Sequence, residues 1–250
     1  PFSSSPGKAI RYLGISEPDT LSTFRRLLVP NGVFVDVGAH IGEYALLGAK
    51  LMGPGSRVFA FEPGKAILPY LERNVATSAF VNQITVFPVA VSNYEGYADF
   101  DQHTDPGHSR LSTVGVPPHS LPAADSAVQI VRLDAILAAH DAAPHLVKID
   151  VEGAEQQVIE GMAGLLAHDA STRPAIVFEY LPRTWDVFGN DIARSISYLE
   201  SLGYRVFSVR DSQITPVATR ADADRATAGL DLDLVALLPE HIERARFHTA

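Results

Sequence analysis

One continuous stretch near the start of the chain constrains its fold more than any other feature. Residues 33–37 form an apolar run typical of a buried strand, interrupted by Asp36. Gly38 and Gly42 then allow a tight turn before a helical pattern begins. A second apolar run follows the helix and ends in Glu62, which is placed to accept hydrogen bonds from ribose hydroxyls. This order predicts the half-fold that binds an adenosine-containing cofactor.

The spacing inside the turn favours one such cofactor over another. A dinucleotide places its pyrophosphate over a loop with three glycines, and His40 stands where the second of these would be needed. S-adenosylmethionine has no phosphate, so a bulkier loop is acceptable. Its ammonium and carboxylate suit an acid such as Asp36 and the free N–H groups of a glycine turn. A purely structural turn is the alternative interpretation.

The composition excludes several classes of function. The formal net charge of −9 and the lack of basic clusters argue against a nucleic-acid partner. There is no cysteine, which rules out disulfides, thiolate catalysis and cysteine-based zinc sites. No apolar run approaches the roughly 20 residues of a membrane span, and the first residues lack the pattern of a signal peptide. We therefore expect a cytoplasmic protein that acts on small molecules, without membrane contact; the sequence does not indicate its oligomeric state.

The rest of the chain alternates between strand and helix patterns, which predicts an α/β fold with a mostly parallel sheet and helices on both faces. We expect a single methyltransferase-sized domain at 31–240, preceded by a helical extension at 1–30 and followed by a tail at 241–250. The segment 103–124 is rich in Pro, Gly, Ser and His and is predicted to be either a lid or substrate loop or a floppy insertion. The predicted strands are 33–37, 57–61, 84–88, 145–150, 175–180, 204–210 and about 231–238, with possible edge strands at 97–101 and 128–132.

A second set of acids follows later strands. Asp150 and Glu152 come at the end of an apolar run, and Glu179 near the end of the next one. Ligands of open α/β sheets lie outside the carboxyl ends of the strands, so these acids are predicted to share one rim with Asp36 and Glu62. Glu152 alternatively caps the following helix. Asp150 lies within apolar sequence, where burial without a partner is costly, and this favours a functional role.

Together these motifs resemble the FkbM family of S-adenosylmethionine-dependent methyltransferases. The resemblance implies a class I methyltransferase (Rossmann-like) sheet of seven strands, mostly parallel with the last one antiparallel, and O-methylation as the usual activity. It departs from the family at His40, where many members have Asn. The residues that carry it are Phe34–Gly42, Val58–Pro63, Leu71–Asn74, Val89–Ser92, Arg132–Asp134 and Lys148–Glu155.

The resemblance also implies roles for individual residues. Ala90 and Val91 would border the adenine, and Glu62 would hold the ribose. Asp150 and Glu152 would face the methionine amine or the methyl acceptor. The residues implied at the methionine end of the cofactor are Asp36, Gly38, Ala39, His40 and Gly42.

The chemistry then depends on the acceptor. A hydroxyl needs a general base within about 3 Å, for which His40, His108 and Asp150 are the candidates, whereas a carboxylate acceptor needs none. Asp150 and Glu179 are also possible ligands for Mg²⁺, which would lower the acceptor's pKa. The expected acceptors are small molecules, sugars or polyketide-type natural products. The alternatives are a nicotinamide-dependent oxidoreductase, disfavoured by His40, and a non-catalytic module that binds adenosylmethionine.

Overall fold

The computed structural model describes residues 18–101, 110–111, 127–210, 213–227 and 232–249. In these residues the strands form two sheets, a nine-stranded sheet and a four-stranded one. The strands of the large sheet are β1 (Val33–Val37), β2 (Arg57–Phe61), β3 (Ile84–Phe87), β8 (Leu146–Ile149), β9 (Ala175–Tyr180), β10 (Arg205–Arg210), β11 (Gln213–Pro216), β12 (Leu232–Leu237) and β13 (His248–Thr249). Those of the small sheet are β4 (Ala90–Val91), β5 (Gly96–Asp101), β6 (Arg110–Leu111) and β7 (Ala127–Val131).

The helices lie between these strands, as the alternating pattern predicts. Two short helices lie on either side of Gly161, whose backbone packs so closely that a Cβ there would lie 2.1 Å from the Ser92 carbonyl oxygen. The helices are α1 (Pro18–Leu27), α2 (Glu43–Met52), α3 (Leu68–Ala76), α4 (Leu133–Ala139), α5 (Glu155–Glu160), α6 (Ala163–Leu166), α7 (Pro182–Val187), α8 (Ile192–Ser201), α9 (Arg220–Ala226) and α10 (Pro239–Ala245).

The large sheet has the strand order β13-β11-β10-β12-β9-β8-β1-β2-β3. Strand β12 runs antiparallel to both of its neighbours, β9 and β10, while β3, β2, β1, β8 and β9 are parallel. Seven strands with one antiparallel member, as predicted, form the sheet from β3 to β10. The predicted number is too low, because β11 turns back antiparallel along β10 and β13 pairs with β11.

The ends of the predicted domain are also built into this architecture. Helix α1 lies in the predicted N-terminal extension and packs Phe24 edge-on against Phe34 of β1, with ring centroids 4.9 Å apart. The segment predicted as a tail, 241–250, contributes most of α10 and the edge strand β13. Both ends therefore cover or extend the large sheet.

The small sheet contains the two strands predicted as edge strands. Strands β5 and β7 pair antiparallel, and β4 joins β7 in parallel register. Its other member, β6, is the described part of the segment 103–124, whose remaining residues lie outside the described ranges. The short chain connection from β3 to β4 places the small sheet beside the β3 edge of the large one.

The strand order also locates the place where ligands bind in such sheets. From β1 the chain moves outward to β2 and β3, and it then returns to add β8 and β9 on the other side of β1. The direction of winding therefore reverses between β1 and β8. At such a switch point the loops leave to opposite faces and open a crevice at the carboxyl ends of the strands.

Candidate functional site

The crevice between β1 and β8 is bordered on one side by the turn after β1. Gly38 has φ +85°, and a Cβ at this position would lie 1.8 Å from the Asp150 carbonyl oxygen, so only glycine fits. The N–H groups of Gly38 and Ala39 both donate to the Phe61 carbonyl, at 3.0 and 2.9 Å. The turn is therefore fixed to β2 and to the end of β8. We call this turn, residues 38–42, together with Glu62 the turn side of the crevice.

Glu62 fixes the turn side through both of its carboxylate oxygens. Oε2 accepts from the His40 N–H at 2.9 Å, and Oε1 accepts from the Gly64 N–H at 2.7 Å. The side chain is only 7% exposed, and this burial raises its pKa to about 7 against the opposing effect of the two hydrogen bonds. The predicted ribose contact remains a prediction, and a carboxylate retains lone pairs for it.

Asp36 lies inside β1 and is 2% exposed. Its carboxylate is hydrogen bonded to the backbone of Ala45 near the start of α2, whereas Oδ2 has no hydrogen-bond partner in the described part of the chain. Burial raises the pKa of Asp36 to about 7, the charge of Lys148 lowers it in part, and that of Asp150 adds to the rise. A cationic group that reaches Oδ2 would be stabilised by this carboxylate.

The remaining residues of the turn are held by side chains from neighbouring helices. His40, which is predicted to contact the cofactor, has φ +49° and thus a left-handed backbone conformation. It is half-buried. Gly42 has φ +89°, and a Cβ there would lie 2.7 Å from Leu71 Cδ1. Asn74 Nδ2 donates to the Ile41 carbonyl at 2.8 Å. Asn74 is a positioning residue that the sequence motif contained without showing its role.

Ala90 and Val91, predicted to border the adenine, lie in β4 and are 5% and 3% exposed. The Glu62 N–H donates to the Phe87 carbonyl at 3.0 Å, which places the end of β3, and hence the start of β4, beside Glu62. The two residues are thus near the turn side. Their contact with an adenine ring remains a prediction.

The opposite side of the crevice is lined by acids from three neighbouring strands. Asp150 and Glu152 follow β8, and one carboxylate oxygen each from Asp150, Glu152 and Glu179 lies within 4.8 Å of the other two. Asp233 of β12 stands directly opposite Glu179 of β9 in the strand register. We call these four residues the acid side of the crevice. The structure thus brings together the three acids that the sequence placed on this rim and adds Asp233.

A buried lysine supports the acid side. Lys148 Nζ contacts Asp150 Oδ2 at 2.7 Å, with the two side chains 3% and 27% exposed. The same Nζ lies 4.5 Å from the centre of the Tyr44 ring. Sequence reasoning missed Lys148, although a lysine inside an apolar strand is itself a signal, because its burial requires a charged or aromatic partner.

The acid side has carboxylate oxygens that nothing in the described ranges satisfies. Glu179 Oε2 and Asp233 Oδ2 are inaccessible to solvent and have no hydrogen-bond partner there. Burial raises the pKa of Glu179 well above its ordinary value, and the charge of Asp150 raises it further. Burial likewise raises the pKa of Asp233, which the charge of Lys148 lowers in part. These oxygens therefore face a strongly negative environment.

Glu155 holds the loop that carries Glu152. Its Oε1 accepts from the N–H groups of Val151 and Gly153, both at 3.1 Å, and Glu152 between them has φ +58°. Glu155 is completely buried, which raises its pKa to about 8, and within the described ranges its Oε2 has no partner. Among the described residues, no side chain caps the start of α5, and Glu155 instead braces the loop before it.

His108, a candidate base, lies outside the described residues. Trp185 of α7 is 1% exposed and packs in the hydrophobic core beside Tyr180.

The strand order, the antiparallel β12 and the glycine turn at the switch point define a class I methyltransferase fold. The model of the methyltransferase FkbM domain matches residues 36–206, so the chain belongs to the FkbM methyltransferase family. This matched region contains both the turn side and most of the acid side. The resemblance noted in the sequence is confirmed.

Solved structures agree with this fold. A methyltransferase FkbM from Methylobacillus flagellatus KT superposes with a TM-score of 0.52 at 19% identity, over 82% of this chain and 43% of that one. This chain thus covers less than half of that protein's length. An O-methyltransferase from Bacillus cereus, solved in complex with SAH, has a TM-score of 0.48 at 14% identity, over 88% and 80% of the two chains. Such low identities concern the fold alone, and no curated protein matches the chain.

Among the helices of the described ranges, none has both the length and the apolar surface that crossing a bilayer would require.

Proposed function

We propose that this protein transfers a methyl group from S-adenosylmethionine to an oxygen, most simply a hydroxyl or else a carboxyl, of a small-molecule, sugar or polyketide-type acceptor. The observation that carries the proposal is the glycine turn at the switch point, where the Gly38 backbone lies against Asp150 within the region matched by the family model. Membership in a methyltransferase family also argues against the nicotinamide-dependent alternative.

The residues of the crevice fit adenosylmethionine. The close contact of Gly38 with the Asp150 carbonyl fixes the turn against the end of β8, and Asp36 offers a buried oxygen that has no partner among the described residues. Glu62 lies where the ribose hydroxyls of such a cofactor would be held. The residues that we assign to the methionine end are Asp36, Gly38, Ala39, His40 and Gly42, with Ala90 and Val91 at the adenine and Asp150 and Glu152 near the amine or the acceptor.

Bound adenosylmethionine supplies an electrophilic methyl group on a sulfonium. The acceptor oxygen forms the new bond to this carbon while the carbon–sulfur bond breaks and its electron pair stays on sulfur. The protein's part is to position the acceptor, to exclude water and to take the acceptor's proton. Asp150 is our first choice for the proton acceptor, because its carboxylate is 27% exposed at the crevice and Lys148 fixes one of its oxygens.

His40 is the second candidate for this base, since its backbone is held by Glu62 inside the turn. The two are separated by Asp150→Asn and His40→Asn, assayed for single-turnover methylation. We expect Asp150→Asn to lower the rate by about 10²-fold or more, the usual contribution of a general base. A normal rate in Asp150→Asn with a loss in His40→Asn would move the role to His40. A divalent cation near Asp150 and Glu179 would assist either base by lowering the pKa of the hydroxyl.

The experiment that tests the function itself is an acceptor screen by mass spectrometry with adenosylmethionine carrying a deuterated methyl group. We expect one acceptor class to gain a single labelled methyl, with one adenosylhomocysteine released per transfer. If adenosylmethionine binds but no hydroxyl, carboxyl, amine or carbon acceptor yields adenosylhomocysteine, the protein is the non-catalytic binding module instead. A labelled methyl on nitrogen or carbon would contradict O-methylation while leaving the methyltransferase assignment intact.

A further inference from the structure

We propose that the acid side binds one hard divalent cation, of the Mg²⁺, Mn²⁺ or Ca²⁺ class, through carboxylate oxygens of Asp150, Glu152 and Glu179. The binding itself does not depend on the proposed function. Only the role of the ion in the reaction does.

The positions of the three oxygens suit such an ion. Each lies within 4.8 Å of the other two. Ca²⁺ binds oxygen at about 2.3–2.6 Å and Mg²⁺ at about 2.0–2.1 Å, so ligands on opposite sides of the ion are about 4–5 Å apart. One ion can therefore contact all three oxygens with little or no movement of the strands. Carboxylates are the ligands that these hard cations prefer.

The sheet holds these oxygens in place. Val147 pairs with Ile176 and Ile149 with Phe178, so the end of β8 lies beside Glu179 of β9. Glu179 in turn faces Asp233 of β12. Glu179 thus lies in a strand, and Asp150 and Glu152 lie in the loop directly after the neighbouring strand, a loop that Glu155 braces. This arrangement lowers the cost of assembling a metal site.

A completely buried acid provides independent support. Glu155 is not one of the three ligands, yet it is 0% exposed and its Oε2 has no partner in the ranges that the structure describes. Its Oε1 accepts from the N–H groups on either side of Glu152, so this carboxylate lies against the loop that carries Glu152. A buried carboxylate oxygen without a partner is costly in its ionised form unless positive charge stands nearby. A cation bound at Glu152 would supply that charge.

The charge balance favours a divalent ion over an amine. The four acids of the acid side and the one ammonium of Lys148 leave a formal charge of −3 when all are ionised. Lys148 already occupies Oδ2 of Asp150, so one ammonium is present and does not neutralise the group. A second ammonium, from the cofactor or an acceptor, would reduce the charge by one, whereas a divalent cation reduces it by two.

In the proposed reaction, the ion would polarise the acceptor oxygen. A metal-bound hydroxyl would lose its proton at lower pH, so a weak base would suffice to take the proton. Because Asp150 would then serve as ligand, His40 or water would carry the proton away in the metal-bound enzyme.

The test uses the full chain, stripped with EDTA and exchanged into chelator-free buffer. Mn²⁺ is titrated by electron paramagnetic resonance, which counts the free ion, and Mg²⁺ and Ca²⁺ are titrated by calorimetry. We expect one Mn²⁺ per chain with a dissociation constant of about 10⁻⁵ to 10⁻³ M, as for other carboxylate sites. Glu179→Gln should weaken binding by about tenfold or more, because it removes one ligand charge. The matched control is Glu200→Gln, an exposed acid of α8.

Absence of saturable binding for all three ions would overturn the proposal, and so would equal binding by wild type and Glu179→Gln. Thermal unfolding of each variant checks that it is folded; Asp150→Asn provides a second ligand variant should Glu179→Gln fail to fold. Calorimetric binding of adenosylmethionine in EDTA separates this proposal from the proposed function. Cofactor binding without metal binding refutes the cation site only, and metal binding without cofactor binding refutes the methyltransferase only.

Discussion

The two sides of the crevice hold their carboxylates in opposite ways. On the turn side, both oxygens of Glu62 accept backbone N–H groups, and the turn closes without any external partner. On the acid side, Glu179 and Asp233 each keep a buried oxygen for which the described residues offer no donor. Since both sides are built on the same sheet edge, the difference lies in what each side requires. The turn side is preorganised by its own hydrogen bonds, whereas on the acid side burial disfavours the ionised form of Glu179 and Asp233 unless positive charge compensates it.

The largest expected effect comes from adding a side chain at Gly38, on the turn side. In Gly38→Ala the new Cβ would overlap the Asp150 carbonyl, so the turn and the end of β8 would have to separate. We expect a loss of more than about 3 kcal/mol in the free energy of unfolding, measured by urea denaturation, and no detectable cofactor binding. Gly189→Ala is the control, because Gly189 has φ +67° with nothing within 4 Å of its Cβ position. Gly189→Ala should lower the free energy of unfolding by about 1 kcal/mol. Equal losses in the two variants would contradict the role assigned to the contact between Gly38 and the Asp150 carbonyl.

A smaller effect is expected from breaking the bonds that Glu62 makes. In Glu62→Gln, an NH2 group replaces one of the two acceptor oxygens. This group cannot accept a hydrogen bond from the backbone N–H that it faces. At pH 8, above the pKa of about 7, we expect a loss of about 1–3 kcal/mol in stability and about a tenfold weaker affinity for adenosylmethionine. Calorimetry against Glu72→Gln, an exposed acid of α3, isolates the effect. Unchanged affinity would remove Glu62 from the cofactor site.

The pH dependence of stability follows from the raised pKa values. The folded protein keeps protons on Asp36 and Glu62 up to about pH 7 and on Glu155 up to about pH 8, whereas in the unfolded chain these groups ionise near their ordinary values of 3.8 and 4.5. Between about pH 4 and 8 the folded state therefore binds more protons than the unfolded chain. Its stability falls there as pH rises, by up to about 1.4 kcal/mol per pH unit for each group, and the fall ends above about pH 8. Urea denaturation of metal-free protein at a series of pH values measures this. Stability that increases over this window would contradict the assignment of these buried acids.

The smallest predicted effect is a gain in stability, whereas the changes on the turn side are expected to lower stability. Glu179→Gln removes a carboxyl group whose ionised form is disfavoured by burial and by the charge of Asp150, so the metal-free protein should gain about 1 kcal/mol of stability at pH 8. The matching change on the turn side, Glu62→Gln, should lower stability under the same conditions. Thermal unfolding of the two variants in EDTA tests the contrast directly. Destabilisation by both variants would show that the two sides of the crevice do not differ as described.

Much of the turn side could be predicted from sequence, because its requirements are local. Gly38 and Gly42 follow an apolar strand at a fixed spacing, and both have the positive φ angles that this pattern favours. The acid side was only partly predictable. Asp150 and Glu179 end strands that read clearly as buried, but Asp233 joins them only because β12 inserts between β9 and β10, a long-range pairing that no local pattern specifies.

The roles of residues that act through particular hydrogen bonds could not be predicted from the sequence either. Lys148 and Glu155 both belong to the recognised motif, yet their partners, Asp150 Oδ2 and the N–H groups of the Glu152 loop, follow from side-chain directions alone. Asn74 is similar, since its bond to Ile41 joins two elements that are separated by a whole strand.

The central claim is that the turn side binds adenosylmethionine, and calorimetric titration of the full chain tests it most directly. We predict saturable binding of one adenosylmethionine and one adenosylhomocysteine per chain, both lost in Gly38→Ala and retained in Gly189→Ala, with no heat from NAD. Binding of NAD in place of adenosylmethionine, or adenosylmethionine binding that survives in a folded Gly38→Ala variant, would contradict the account.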